Sequence, residues 1–476
     1  MESSAWIMVT LVVYMITLIL IGVWAQRRTT DQEDYFLGGR QLGPWVAGLS
    51  ASASSSSAWS LLGVSGAAYA TGMQAFWFLP GVLGGYLFSW FWVAPRLRDA
   101  AEKEDAVTLS ELLFGHYDET GSRAVIRSAS VIIIISFMFY VAAQFQGAGL
   151  AFSNSFGLDP TVAILIGATI VLVYTLIGGF WAVAVTDAVQ AGLMVAVAAL
   201  LPVLCLIEVG GFSGLAEGLA AINDPEYMSF SGKYSGIAAF GFVVGMLSPG
   251  AAYHGQPHVV NRFMALKDDA SLKQGRIIAV SWAFVVFGGM LILGWSARLM
   301  FPIADNSEQV FFAATQALLP PVIAGIMTAG VLSAIMSTAD SQLLVAASSI
   351  ARDWNLDDSR AHANVLTDSR IVVTVVTAVA CGITLFLPAS IFDRVLFAWH
   401  ALGAAFGPLV LLFVCGIKVR KTPALVSLWL GFGLTVIFNW APSTPGDIVE
   451  RCLPFVLALI VSWLGREQIA TTSGNA

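Results

Sequence analysis

Two aspartates and a run of serines stand where charge and hydroxyl are costly. Asp187 lies in Thr186-Asp187-Ala188-Val189-Gln190 and Asp340 in Met336-Ser337-Thr338-Ala339-Asp340-Ser341-Gln342, each inside a long apolar stretch. A charge in such a stretch costs about 2.5–3.5 kcal/mol on insertion scales, so each carboxylate needs a partner or a function. No basic residue lies in the core of either stretch, which makes a bound cation the expected partner. On a helix turning about 100° per residue, Ala334, Ser337, Thr338, Asp340 and Ser341 share one half of the surface. That face offers oxygen only, the donor set of a hard cation rather than a soft metal. Elsewhere Ser50, Ser52, Ser54, Ser55, Ser56 and Ser57 put six serines into eight positions. A small-residue packing face needs fewer; serines on every side suit a local break whose carbonyls and hydroxyls coordinate an ion. At about 1.5 Å rise per residue, Ser55 and Ser337 fall at similar depth. The chemistry expected is a sodium-sized cation caged in oxygen between two helices.

The elements that must position these residues follow from composition. The chain has 476 residues, 57% hydrophobic and 11% charged, against roughly 45–50% and about 25% in a soluble domain. Its apolar runs are continuous, whereas a membrane β-barrel alternates. The sequence therefore reads as an all-α polytopic membrane protein of about thirteen transmembrane helices, near 6–24, 44–68, 76–94, 128–151, 160–177, 182–207, 235–257, 277–301, 321–349, 371–388, 395–416, 423–441 and 452–465. The longest loops, 95–127 and 209–234, are too short for a catalytic module. No phosphate-binding or dinucleotide loop, haem attachment or nucleophile–base constellation occurs, so an enzyme is not expected, nor a cofactor beyond a coupling ion. Cys205, Cys381, Cys415 and Cys452 lack metal spacing and read as small buried hydrophobes.

Charge orients the spans. With the N-terminus outside, 19 of the 23 basic residues fall on the inner side, Arg27, Arg40, Arg98, Arg262, Arg352 and Lys421 among them. Only Lys233, Arg298, Arg394 and Arg451 fall outside. That bias predicts a cell-membrane protein with its N-terminus outside and its C-terminus cytoplasmic. It also accounts for the basic residues, so no nucleic-acid partner is expected, and no obligate protein partner is evident; the partners expected are the bilayer, a small solute and an ion.

Interruptions carry the functional signal. Segment 2 has its serines, and segment 7 has Gly245, Pro249, Gly250, Gly255 and Pro257, where freed carbonyls need a partner or a water-lined cavity. The two are five spans apart, an odd number, so they enter from opposite faces, the sequence pointer to a secondary-transporter site between inverted repeats. The chain is accordingly divided into 1–43 (peripheral first helix and loop), 44–207 and 235–416 (two five-helix inverted repeats), and 423–476 (two peripheral helices and a tail). Trp59, Tyr140, Gln144, Tyr253 and His400 are weaker signals, each more readily a satisfied interior residue than a ligand contact.

These residues resemble the sodium/solute symporters, and most of all their sodium/proline branch, from about residue 8 to 420. The marks are Leu37-Gly-Gly-Arg40-Gln-Leu-Gly-Pro44, Gly178-Gly-Phe-Trp-Ala-Val183, Gly255-Gln-Pro-His258 with Arg262-Phe-Met-Ala265, Met336-Ser-Thr338 with Ser341-Gln-Leu-Leu-Val345, and Gly403-Ala-Ala-Phe-Gly-Pro408. The resemblance implies a LeuT-type 5+5 inverted-repeat fold and sodium-coupled secondary uptake of a small zwitterion, L-proline first. The alternatives are a betaine, an ectoine-like solute or a monocarboxylate, or a transporter-shaped solute sensor. It further implies a sodium site of Ala53, Ser56 and Ala334 carbonyls with Ser337 and Thr338 hydroxyls. A second cation site would use Asp187, Asp340 and Ser341, and substrate contacts would fall on Ser57, Tyr140 and Tyr253. The proline branch commonly has an aspartate at the position of Ser55 and a tryptophan at that of Pro249. Asp340 is therefore expected to supply the charge that Ser55 does not.

Overall fold

The computed structural model describes residues 3–26, 40–177, 180–351 and 365–467. Motif residues 37–39, Gly178 and Gly179, and the arginines at 27, 28, 352 and 360, lie outside the described residues. Each of the thirteen expected segments is helical. In chain order the spans are Ser3–Gln26, the broken second span, Phe78–Phe88 running on to Ala94–Glu104, Glu119–Phe156, Pro160–Ile177, Phe180–Glu208 and the broken seventh span. Asp269–Met300, Pro321–Ala351, Val365–Phe386, Ile391–Val414, Lys421–Asn439 and Ile448–Leu464 follow. Among the described residues ten helical stretches are long and apolar enough to cross a membrane, one of them joining the second and third spans.

Boundaries differ from expectation where amphipathic turns prolong an apolar run. The third span continues to Glu104 and the eighth begins at Asp269, because charged turns propagate a helix beyond the hydrocarbon once it is nucleated. Cys205 is buried as expected, but Cys415 is exposed at the end of the eleventh span.

Both interruptions have local causes. Pro44–Ser55 stops at Ser56, whose backbone is extended (φ −109°, ψ 100°). Beyond it the freed amides find side-chain acceptors: the Ala58 N–H donates to Gln144 Oε1 (3.0 Å) and the Trp59 N–H to Ser57 Oγ (3.1 Å). Serine offers the backbone this alternative to a helical bond. In the seventh span, Gly236–Ala251 gives way to a single turn, Tyr253–Gly255, and Pro257–Met264 resumes after an extended Gln256. Pro249 does not make that break. It sits within the first helix, and its carbonyl accepts the Trp399 indole N–H at 2.8 Å. Gln256 bridges the real gap, donating from Nε2 to the Ala252 carbonyl (3.0 Å) and the Trp399 carbonyl (2.8 Å).

The two broken spans meet the rest of the core at close range. Pro44–Ser55 packs against Phe180–Glu208, Asp269–Met300 and Pro321–Ala351, and against Pro257–Met264 of the seventh span. The third and seventh spans cross backbone to backbone. A Cβ on Gly85 would lie 2.5 Å from the Gly250 carbonyl oxygen, and one on Gly250 only 1.9 Å from that of Gly81.

Candidate functional site

The end of Pro44–Ser55 lies against the middle of Pro321–Ala351, and backbone oxygens freed by the break face hydroxyls there. Ser337 Oγ is 3.2 Å from the Ala53 carbonyl oxygen and 3.3 Å from that of Ala334. Thr338 Oγ1 is 3.3 Å from the Ser54 oxygen and 3.4 Å from that of Ser56. All of these residues are fully buried. The separations are long for O–H···O bonds, whose mode is about 2.7–2.8 Å. A hard cation of calcium's or sodium's size takes oxygens at about 2.3–2.6 Å, so oxygens at right angles about it stand roughly 3.3–3.7 Å apart. Ala53, Ser56, Ala334, Ser337 and Thr338 are thus brought together, with Ser54 added, at the spacing of a coordination shell.

The serine run divides its work. Ser50 Oγ and Ser54 Oγ each donate to Asp187 Oδ2 at 2.9 Å, and Ser54 Oγ stands 3.0 Å from Ser341 Oγ. Ser55 instead donates to the Ala51 and Ser52 carbonyls and meets the Tyr86 hydroxyl at 2.6 Å. The Trp282 indole donates to Ser56 Oγ at 2.9 Å.

The expectation that Asp187 has no basic partner is corrected. Arg262 Nη2 donates to Asp187 Oδ2 at 3.2 Å, with both side chains buried. The same nitrogen bonds Ser341 Oγ, Nε reaches Ser50 Oγ at 3.4 Å, and Nη1 donates to the His258 carbonyl at 2.7 Å. The guanidinium carbon lies 5.2 Å over the Phe180 ring. Arg262 reads as a loop residue in the sequence, because hydropathy places an arginine outside the core. The resumed helix Pro257–Met264 carries it inward instead. Asp340 is buried beside this cluster; its Oδ1 accepts from Ser341 Oγ at 3.5 Å, and Oδ2 has no hydrogen-bond partner.

Toward the other side of the break lies a small cavity of about 20 Å³ walled by Ser55, Trp59, Val82, Tyr86, Tyr140, Pro249, Gly250, Tyr253, Phe287 and Trp399, among others. No charged side chain lines it. Tyr86 and Tyr253 have ring centroids 4.5 Å apart, Tyr253 and Trp399 6.0 Å, and Tyr140 and Trp399 6.3 Å. The Tyr253 hydroxyl and the Trp59 indole N–H are buried without partners. Tyr140 and Tyr253 belong to this wall; Ser57 is buried and not among its residues, its oxygen accepting from the Trp59 N–H. Tyr86, Phe287 and Trp399 were invisible to sequence reasoning, since aromatic residues in apolar runs read as core or interfacial belt. Of the weaker signals, Gln144 serves the helix break, and His400 meets Ser248 Oγ through Nε2 at 2.9 Å. Among the described residues no His, Cys, Asp and Glu cluster could hold a metal ion in the usual sense.

A second, larger cavity of about 830 Å³ opens beyond the first at the end of the molecule carrying Glu308. Phe78 and Phe392 belong to its floor. They pack edge-on at 5.3 Å and against Trp59 at 5.8 and 6.0 Å. This three-ring plug separates the two cavities.

Residues 35–431 match the model of the sodium:solute symporter family. The chain is 34% identical over 463 residues to the osmoregulated proline transporter OpuE of Bacillus subtilis, covering 95% of this chain and 93% of that one. It is 34% identical over 456 residues to the sodium/proline symporter of Escherichia coli, covering 92% and 89%. Among solved structures, a sodium-coupled sialic acid symporter in a substrate-bound outward-open state superposes with a TM-score of 0.80 at 19% identity, covering 98% of this chain and 99% of that one.

Proposed function

Because the chain belongs to the sodium:solute symporter family, we propose that the solute it carries with sodium is a small zwitterion, L-proline first. The protein is a multi-pass membrane protein of the inverted-repeat transporter fold, and a transporter rather than an enzyme. The observation that supports proline is the uncharged, aromatic wall of the central cavity. Tyr86, Tyr140, Tyr253 and Trp399 offer apolar faces to a saturated ring. The unpartnered Tyr253 hydroxyl and Trp59 N–H offer donors to a carboxylate. The same wall favours one alternative: faces without a carboxylate suit a quaternary ammonium, so betaine is the second reading.

Sodium is assigned to the Ala53, Ser56 and Ala334 carbonyls with the Ser337 and Thr338 hydroxyls, supported by their coordination spacing. A second cation site is assigned to Asp187, Asp340 and Ser341, on oxygens that Arg262 shares. Residues 44–207 and 235–416 are assigned to the two inverted repeats. The excess of basic residues on one side assigns the N-terminus to the outside of the cell membrane and the C-terminus to the cytoplasm.

The test is a solute screen in proteoliposomes with and without an inward sodium gradient. Proline uptake driven by sodium, and lost when choline replaces sodium at constant pH, is the expected result. Sodium-driven uptake of betaine with none of proline moves the assignment to the alternative, and equal uptake on a proton gradient alone overturns sodium coupling.

A further inference from the structure

The second cation site already holds a cation, and it is part of the chain. Four oxygens converge at the second half of Pro44–Ser55, beside the break: Ser50 Oγ, Ser54 Oγ, Asp187 Oδ2 and Ser341 Oγ. Ser54 links the carboxylate to Ser341 at 2.9 and 3.0 Å. Three of the four, Ser50, Asp187 and Ser341, accept hydrogen bonds from Arg262. The guanidinium is 1% exposed and the carboxylate fully buried. Bringing an arginine this deep is expensive unless it is paired and hydrogen-bonded, and here the His258 carbonyl and the Phe180 ring complete its surroundings.

Charge counting extends the point. The cluster contains two carboxylates, Asp187 and Asp340, and one guanidinium, so with both carboxylates ionised one negative charge is left over. Asp340 follows Thr338 of the assigned sodium site by two residues, and its Oδ2 is buried without a partner. One sodium ion at Ala53, Ser56, Ala334, Ser337 and Thr338 balances that remaining charge. A second would face an Asp187–Arg262 pair already neutralised, with Asp187 Oδ2 and Ser341 Oγ both bonded to the guanidinium.

We infer that Arg262 is a tethered stand-in for a second sodium ion, so that the closed transporter binds a single sodium and Arg262 sets the ion count. This rests on the sodium-coupled reading above. Arg262 rides on Pro257–Met264, beyond the break in the seventh span. Entry of a second ion at Asp187 therefore requires that this short helix swing the guanidinium away.

Equilibrium binding of radiolabelled sodium to the purified full-length protein in nanodiscs tests the inference. Wild type should bind one ion per chain with hyperbolic sodium activation of uptake. Arg262→Gln should bind a second, with activation turning sigmoidal, and Arg262→Lys should stay at one. Two ions on wild type, or no gain in a folded Arg262→Gln, overturns the inference. Where Arg262→Gln fails to fold, the charge-balanced pair Asp187→Asn with Arg262→Gln decides. It should keep the single ion of wild type, and loss of that ion, which would place it at Asp187, overturns the inference. No sodium bound by wild type overturns the sodium reading itself, a result distinct from the others.

Discussion

The Ser55 and Tyr86 hydroxyls lie 2.6 Å apart, joining the broken second span to the third at the wall of the central cavity. Ser55 has already given its proton an acceptor in the Ala51 or Ser52 carbonyl, at 2.9 and 3.0 Å, so Tyr86 is the natural donor in this contact. Tyr86→Phe removes that donor without leaving Ser55 unpaired. Since a typical hydrogen bond contributes about 0.5–1.5 kcal/mol, the variant should lose about 1 kcal/mol of stability and weaken solute affinity several-fold. Thermal unfolding and the KM for proline check both, and an unchanged KM removes Tyr86 from the solute site.

Thr338→Val keeps the shape of the side chain and deletes one of the oxygens spaced for sodium. Leaving a polar partner unsatisfied costs about 1–3 kcal/mol, so the sodium concentration for half-maximal uptake should rise roughly five- to a hundredfold. Proline binding at saturating sodium should change little. The sodium titration of uptake is the measurement.

Ser55 and Asp340 do not share a partner. Ser55 turns toward Tyr86 and the aromatic cavity, whereas Ser54 faces Ser341 and, with Asp187, the side of the break where Asp340 lies. Asp340 therefore reaches none of the groups that surround position 55. Sites without shared partners add within about 0.3–0.5 kcal/mol. A double-mutant cycle of Asp340→Asn and Ser55→Asp on sodium affinity should be additive, and rescue of one by the other refutes this reading.

Glu308, between the eighth and ninth spans, accepts the Phe392 N–H at 2.9 Å and the Ile391 N–H at 3.2 Å, capping the eleventh span. Burial raises its pKa above the ordinary value, against the lowering effect of those two amides. A raised folded-state pKa means that the folded protein holds the proton more tightly than the unfolded chain. The associated stability is complete below the unfolded value of about 4.3 and is lost as pH rises through the folded value. Relative to Glu308→Gln, wild type should gain thermal stability as pH falls through that window. A difference in melting temperature that does not vary with pH counts against it.

Much of this architecture is legible in the chain because a bilayer imposes a crude code. Continuous apolar runs give the spans, and the serine run and Pro257 mark the two interruptions, since a freed carbonyl or a missing N–H is a local property. The hydroxyls that face the freed carbonyls were legible for the same reason: Ser337 and Thr338 lie on one helical face. Arg262 was not. It stands 75 residues from Asp187 in sequence, and only the helix that resumes after the extended Gln256 carries it into the core. The signal available was the helix after Pro257, which puts Arg262 one turn past His258. The cavity wall was equally hidden, because Tyr86, Phe287 and Trp399 each sit among apolar neighbours and acquire meaning only when three spans converge.

The glycine crossing of the third and seventh spans bears on selectivity. Where Gly81 and Gly85 touch Gly250 through their main chains, no side chain is available to rotate and absorb sliding. The two spans must then rock as one body. Tyr86 follows Gly85 directly and Tyr253 lies three residues past Gly250, so their 4.5 Å ring spacing travels with that body. Trp399, on the eleventh span, is tied to the same body by its indole bond to the Pro249 carbonyl, whereas Tyr140 comes from the fourth span. The aromatic pair on that side of the cavity, Tyr86 and Tyr253, is therefore held at a fixed spacing by backbone contact rather than by side-chain packing.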